Sequence, residues 1–295
     1  MNVQMIIDSA SDMKAAEAAQ RGLMFLPLKT RIDGEEYLDG VTITHEEFYS
    51  KLEGCRDLPT TSQLTPYDYE EACQAALKNS DEVLIITLSG LLSGTAQSAV
   101  SAARKFPGKV WVVDSENVTI GERILIEYAV QLRDRGLPAA QIAERLEKAK
   151  KRICLLALVD TLEYLVKGGR LSKTAAMVGS LLNIKPVLTL ENGALSVLGK
   201  ARGSKQSNNL LNETLRKKGG VDFTMPYMLA YSGMDDALLK GYIDNSRTIW
   251  EGRISDLPVS TIGSTIGTHA GPGAIAVAFF AAEPASGEQG SESLS

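Results

Sequence analysis

Val83-Leu84-Ile85-Ile86-Thr87-Leu88-Ser89-Gly90-Leu91-Leu92-Ser93-Gly94-Thr95-Ala96-Gln97-Ser98 runs from an apolar, β-branched stretch through a loop with two glycines into an alanine-rich stretch. It reads as a buried strand over Val83–Leu88, a Ser/Gly loop, and a helix reaching about Lys105. The same alternation continues on both sides. Upstream, Val3–Ile7 is a strand ending in Asp8-Ser9-Ala10-Ser11, and Met13–Arg21 is a helix stopped by Gly22. Leu23–Ile32 reads as one strand turned by Asp33-Gly34. Thr44 opens a helix, with Glu46 and Glu47 where its dipole favours acid. Thr65-Pro66 opens another, the threonine as N-cap and the proline in the first helical position. Downstream come a strand Val110–Val113, a long amphipathic helix Ile120–Arg135, and a helix from Pro138 to about Arg152. Strands separated by helices of this length predict a parallel sheet covered on both faces.

The pattern changes after residue 152. Leu155–Val159 is a strand and Leu162–Val166 a short helix stopped by Gly168-Gly169. Lys185–Leu190 and Ala194–Gly199 flank Glu191-Asn192-Gly193, a strong hairpin signal. A helix from about Ser204 to Lys217, a strand Tyr227–Tyr231, a helix from Asp235 and a strand Ala274–Phe280 follow. The fold class is therefore α/β in two domains. Residues 1–152 form an N-terminal parallel-sheet α/β domain and residues 153–282 a C-terminal α+β domain with a hairpin-containing sheet. The Ser-, Gly- and Glu-rich residues 283–295 form a flexible tail.

Composition narrows the function. The chain has 295 residues, 44% of them hydrophobic, and a net charge of −5, which argues against a nucleic-acid partner. No apolar run is long enough to span a membrane, and the N-terminus lacks the pattern of a secretory signal; a cytoplasmic protein is expected. Three scattered cysteines (Cys55, Cys73, Cys154) fit reduced thiols, and two histidines supply no zinc spacing, so no metal is expected.

Four polar loops, Asp8-Ser9, Thr61-Ser62-Gln63, Ser89–Thr95 and Asp114-Ser115, follow strand or loop segments. In an open parallel sheet such ends converge on one crevice. Taken singly, each reads first as a cap of the next helix; the four together favour a site. In the opening stretch the glycines permit close backbone approach, the helix start receives anions, and Ser93 and Thr95 add hydroxyls. The stretch is neither a Walker A loop nor a dinucleotide fingerprint, and Ser93 lacks the Gly-x-Ser-x-Gly setting of a nucleophile elbow. A Ser93/His269 hydrolase or acyltransferase stays open as the alternative, because such pairs are defined by geometry. His269 falls in the apparent loop Gly267–Gly273 before the last strand, and His45, beside Glu46 and Glu47, reads as solvated. Lys167-Gly168-Gly169-Arg170 is either a basic helix C-cap or a loop that places Arg170 over an acidic ligand or partner.

Together these segments resemble the DegV family of bacterial fatty-acid-binding proteins. The resemblance runs from Ile6-Ile7-Asp8-Ser9 through Thr61-Ser62-Gln63, Leu92-Ser93-Gly94-Thr95, Val113-Asp114-Ser115, Gly168-Gly169-Arg170 and Leu182-Asn183-Ile184-Lys185-Pro186 to His269-Ala270-Gly271-Pro272-Gly273. It implies one long-chain fatty acid enclosed between two domains, with Thr61, Ser93 and His269 holding the carboxylate and Ser62, Gly94 and Thr95 beside them. It further implies that Arg170 acts at the carboxylate end. There the chain would present its cargo to a separate ATP-dependent fatty acid kinase, which makes acyl phosphate for phospholipid synthesis. The carrier itself would use no cofactor. Two departures stand out. Leu64 replaces a proline, and Glu122-Arg123 follow Gly121 where a Gly-x-Gly pair is usual, putting a charged pair where the mouth or partner contact is expected.

Overall fold

A computed structural model describes residues 2–172, 184–250 and 252–282. Residues 182 and 183 of the Leu182–Pro186 motif, and the tail expected over 283–295, lie outside the described residues. Four strands, β1 (Val3–Asp8), β2 (Leu23–Leu26), β6 (Glu82–Thr87) and β7 (Val110–Asp114), form a parallel sheet in the order β2-β1-β6-β7. All six residues of β6 are buried, as a central parallel strand covered on both faces requires. Helices α1 (Ala15–Gln20), α3 (Pro66–Ala76), α4 (Thr95–Ala103), α5 (Thr119–Asp134) and α6 (Ala139–Ala149) complete this layer.

The segment expected as one strand over Leu23–Ile32 is two strands in different sheets. Pro27 has no amide hydrogen to give a ladder and breaks the run. After it, β3 (Lys29–Ile32) pairs antiparallel with β4 (Glu35–Leu38) and β5 (Thr60–Ser62) in a small sheet that the sequence reading did not anticipate. Helix α2 (His45–Gly54) and α3 begin with capping boxes, Thr44 with Glu47 and Thr65 with Asp68, and Pro66 stands in the first turn of α3 as expected.

The second half forms a six-stranded sheet in the order β10-β9-β8-β13-β11-β12. Its strands are β8 (Ile153–Leu158), β9 (Ile184–Glu191), β10 (Ala194–Arg202), β11 (Tyr227–Tyr231), β12 (Val259–Thr261) and β13 (Ile275–Phe280). Only β11 and β12 pair in parallel. The β9–β10 turn has both Asn192 and Gly193 at positive φ, 50° and 85°, as a two-residue hairpin turn demands. Helix α7 (Glu163–Lys167) follows β8, and α8 (Gly203–Lys217), α9 (Ala237–Asn245) and α10 (Ser264–Ala270) are the other α-helices among the described residues of this half.

Strand alternation divides the two faces of this sheet. Ile275, Val277 and Phe279 of β13 join Leu156, Leu211, Leu215 and Trp250 in one core. Ala276, Ala278 and Phe280 point the other way, into a core shared with β1, β6 and α5 of the first half. Helix α5 thus packs against α6 and the Ser9–Ser11 turn in the first half and against β8, β11 and β13 in the second, within one shared core.

Candidate functional site

Between the parallel and mixed sheets lies a cavity of about 210 Å³. Its walls are mainly apolar: Leu28, Leu88, Val118, Leu155, Leu188, Leu195 and Ile262. Ala157, Ala274 and Ala276 contribute only methyl groups, and these small side chains on β8, on β13 and just before it make the room. The polar lining comes from Thr61, Ser62, Gln63, Ser93, Gly94, Arg170 and His269, joined by Thr119 and Thr265.

Each polar group is set by its own element. Thr61 sits on β5, opposite Thr30 of β3. Ser93 closes the loop after β6, where its amide and that of Leu92 donate to Ser89 O. Its hydroxyl accepts from the Thr95 amide at 3.3 Å and shares a 2.9 Å bond with the Thr95 hydroxyl. His269 belongs to the last turn of α10, not to a loop as the glycine-rich sequence suggested. Gly267 inside these seven residues, with Gly263 and Gly271 capping them, hid a helix that is stabilised by tertiary contacts. His269 Nε2 and Thr61 Oγ1 are 2.9 Å apart. Burial, and then the nearby Arg170 charge, push the imidazole down to about 4, so it is neutral near pH 7.

Glycines let these pieces close on one another. A Cβ at Gly168 would stand 2.3 Å from His269 Nδ1, and one at Gly94 would stand 2.0 Å from Gln63 Oε1. Gly169, at φ +74°, turns the chain so that Arg170 donates from Nε to Leu92 O at 3.1 Å and from Nη1 to Gly168 O at 2.7 Å. The Gly168-Gly169-Arg170 segment therefore ties the Ser93 loop to the His269 helix.

Six of the seven expected site residues, Thr61, Ser62, Ser93, Gly94, Arg170 and His269, line this one cavity. Thr95 does not; it is buried beneath Ser93 as its partner. Two of the four polar loops also stay outside. Asp8 accepts from the amides of Leu88 and Ala10, and Asp114 from those of Gly90 and Glu116. Both brace the start of the Ser93 loop; Asp8 also caps the short turn Ser9–Ser11, the capping alternative, whereas Asp114 caps no helix. Ile262, just before α10, and Thr265 and Ile266 in its first turn also line the cavity; the sequence reading assigned no element to these residues.

Two further expectations are corrected. Glu122 and Arg123 are at neither a mouth nor a surface: they are 0% and 4% exposed, and neither lines the cavity. Arg123 pairs with Glu17 and Glu127, whereas both Glu122 oxygens lack a hydrogen-bond partner and burial pushes its carboxyl well above the usual range. His45 is not solvated. Its Nδ1 and Nε2 lie 3.0 and 2.7 Å from the carbonyls of Ile262 and Gly233. Among the described residues no cluster of His, Cys, Asp or Glu is arranged to hold a metal, and no helix is long and apolar enough to cross a membrane.

Fold and cavity together define an α/β protein with an internal binding chamber, mainly apolar and polar on one side. The sequence profile of the DegV family matches residues 2–282, and the chain belongs to that family. A DegV domain-containing protein of Deinococcus radiodurans is 34% identical over 283 residues, covering 94% of this chain and 98% of the relative. A fatty-acid-binding DegV family protein from Thermus thermophilus superposes with a TM-score of 0.85 at 32% identity, covering 95% of this chain and 100% of its own. A DegV lipid-binding protein from Thermotoga maritima gives 0.80 at 27% identity, with 94% and 98% covered.

Proposed function

We propose that this protein is a non-enzymatic carrier that encloses one long-chain fatty acid between domains spanning residues 1–152 and 153–282. The observation that carries the reading is one cavity with apolar walls and a set of hydroxyl, imidazole and guanidinium groups that suits a single carboxylate. Thr61, Ser93 and His269 hold that carboxylate, with Ser62, Gly94 and Arg170 around it. Two relatives of matching fold are fatty-acid- or lipid-binding proteins, which supports the same ligand class here.

The hydrogen-bond geometry suits an acceptor-only ligand. A neutral His269 carries one N–H, and its Nδ1 has no partner and lies against Gly168. The proton therefore belongs on Nε2, since a buried lone pair is easier to leave unmatched than a buried N–H. Nε2–H then donates to Thr61 Oγ1, and the Thr61 hydroxyl turns its own hydrogen toward the ligand. Roughly fourteen methylenes at about 0.8 kcal/mol each give a gross gain on the order of 10 kcal/mol, before the costs of association. A carboxylate clamp built from neutral donors adds orientation and still permits release.

The family resemblance supports a further step, presentation of the carboxylate to a separate ATP-dependent fatty acid kinase that forms acyl phosphate in the cytoplasm. A Ser93/His269 hydrolase gains no support. Among the described residues the Ser93 hydroxyl bonds to Thr95 and His269 Nε2 to Thr61, so the two are not paired with each other. Denaturing extraction of the purified protein followed by lipid mass spectrometry should release about one fatty acid per chain. Finding none, with no uptake of added fatty acid, would refute the carrier reading.

A further inference from the structure

Helix α10 supplies Thr265, Ile266, His269 and Ala270 to the cavity, yet it has no side-chain cap of its own: its N-cap is Gly263. The backbone amides at its start are satisfied from the far end of the sequence. Asp12 Oδ1 accepts from Gly263 N at 2.7 Å. Asp39 Oδ1 accepts from Ser264 N at 2.9 Å and from the Ser264 hydroxyl at 2.8 Å, and Asp39 Oδ2 accepts from Thr265 N at 3.3 Å. Asp39 is 3% exposed and lies 225 residues before Ser264. The Ser264 hydroxyl also reaches Thr30 Oγ1 at 3.0 Å, and Thr30 is the residue paired with Thr61.

The attachment allows little slack. A Cβ on Gly263 would meet Asp39 Oδ1 at 2.9 Å, and one on Gly267 would meet Phe48 Cε1 and the Tyr49 hydroxyl at 2.6 Å. Inside the helix the Thr268 hydroxyl donates to Ser264 O at 2.8 Å, tying the turn that carries His269 to the residue Asp39 holds. From Ser264 to His269 the helix rises only about 7.5 Å, so displacement at its start is carried to the imidazole.

We infer that Asp39 is the positioning residue of the carboxylate clamp: by capping α10 from the other half of the chain it sets His269 against Thr61 and so gives the cavity its preference for an acid head group. Asp12 assists through Gly263. The inference rests on the fatty-acid reading and deepens it, because it places the origin of head-group selectivity outside the cavity wall. Capping carboxylates at helix starts are common; here the capped helix is a short one bearing a ligand-binding side chain, so the cap controls recognition as well as stability.

The test compares hexadecanoic acid with hexadecan-1-ol as probes on the full chain, for wild type, Asp39→Asn and Ser264→Ala. The asparagine keeps one oxygen acceptor at similar volume, and Ser264→Ala leaves Asp39 intact while removing one of its bonds and the link to Thr30. The expected result is a fall of about tenfold in the acid-over-alcohol ratio for Asp39→Asn and a smaller fall for Ser264→Ala. Alcohol affinity should stay within about twofold, and the His269 imidazole NMR resonances should move. An unchanged ratio in both variants, or equal losses for acid and alcohol, would overturn the inference while leaving the carrier reading in place. A wild type that binds neither probe, or does not favour the acid, would remove both.

Discussion

Thr61 and Ser93 come from separate elements, and each offers one hydroxyl to the same cavity. Thr61→Ala removes the bond to His269, and Ser93→Ala removes those to the Thr95 amide and hydroxyl, but the strand pairing of β5 and the loop bonds to Ser89 O remain, so both variants should stay folded. Hydrogen bonds to a charged group contribute about 1.5–3 kcal/mol, so each change should weaken fatty-acid binding about tenfold or more, read by titration calorimetry. Glu122 poses a different question, because burial pushes its carboxyl well above the usual range and neither oxygen has a hydrogen-bond partner. With its folded pKa raised well above 4.5, the native state holds a proton that the unfolded chain gives up as pH rises through 4.5. The native state is then disfavoured increasingly toward alkaline pH. Glu122→Gln removes this dependence. Its melting temperature should match wild type near pH 4 and exceed it by at least about 2 °C at pH 8; a constant difference across that range would show that Glu122 titrates normally.

At the scale of elements, the helices and strands with local signals were legible. The Thr44 and Thr65 caps and the Asn192-Gly193 turn are each written within four residues, and each appears as read. What was hidden depends on distant partners. β5 is three residues long and exists through pairing with β3, while α10 holds Gly267, lies between two capping glycines and depends on Asp12 and Asp39. The site was legible to the same degree. Its donors stand in recognisable motifs, but Asp8 and Asp114 differ from them only in where their carboxylates point. The strands carry a further expectation. Ala157 on β8 makes room in the cavity, so Ala157→Leu adds volume where there is space and should lower affinity for a sixteen-carbon acid at least tenfold. Its melting temperature should stay within a few degrees of wild type; a large loss of stability would mean that the wall has no room for the longer side chain.

Across the whole molecule, α5 is shared between the sheets, and the core of the first half continues onto Met228, Ala230, Ala276, Ala278 and Phe280 of the second. Separating the halves would expose those side chains together with their partners on α5, at about 25 cal/mol for each Å² of apolar surface. The proposed domains should therefore melt together. Calorimetry of the protein is expected to show one transition with matching calorimetric and van't Hoff enthalpies, and two resolved transitions would contradict this.

The glycines that interlock the site also bear on how the protein tolerates change. A Cβ on Gly168 would meet both His269 Nδ1 and the Tyr164 carbonyl oxygen, so no side chain fits there, whereas a Cβ on Gly94 would displace only the end of the Gln63 side chain. In a comprehensive mutational scan for lipid loading Gly168 should therefore rank with Thr61 and Ser93 as an intolerant position, and Gly94 should accept more. A scan of this kind would trace the outline of the chamber through residues that offer the cargo no side chain at all.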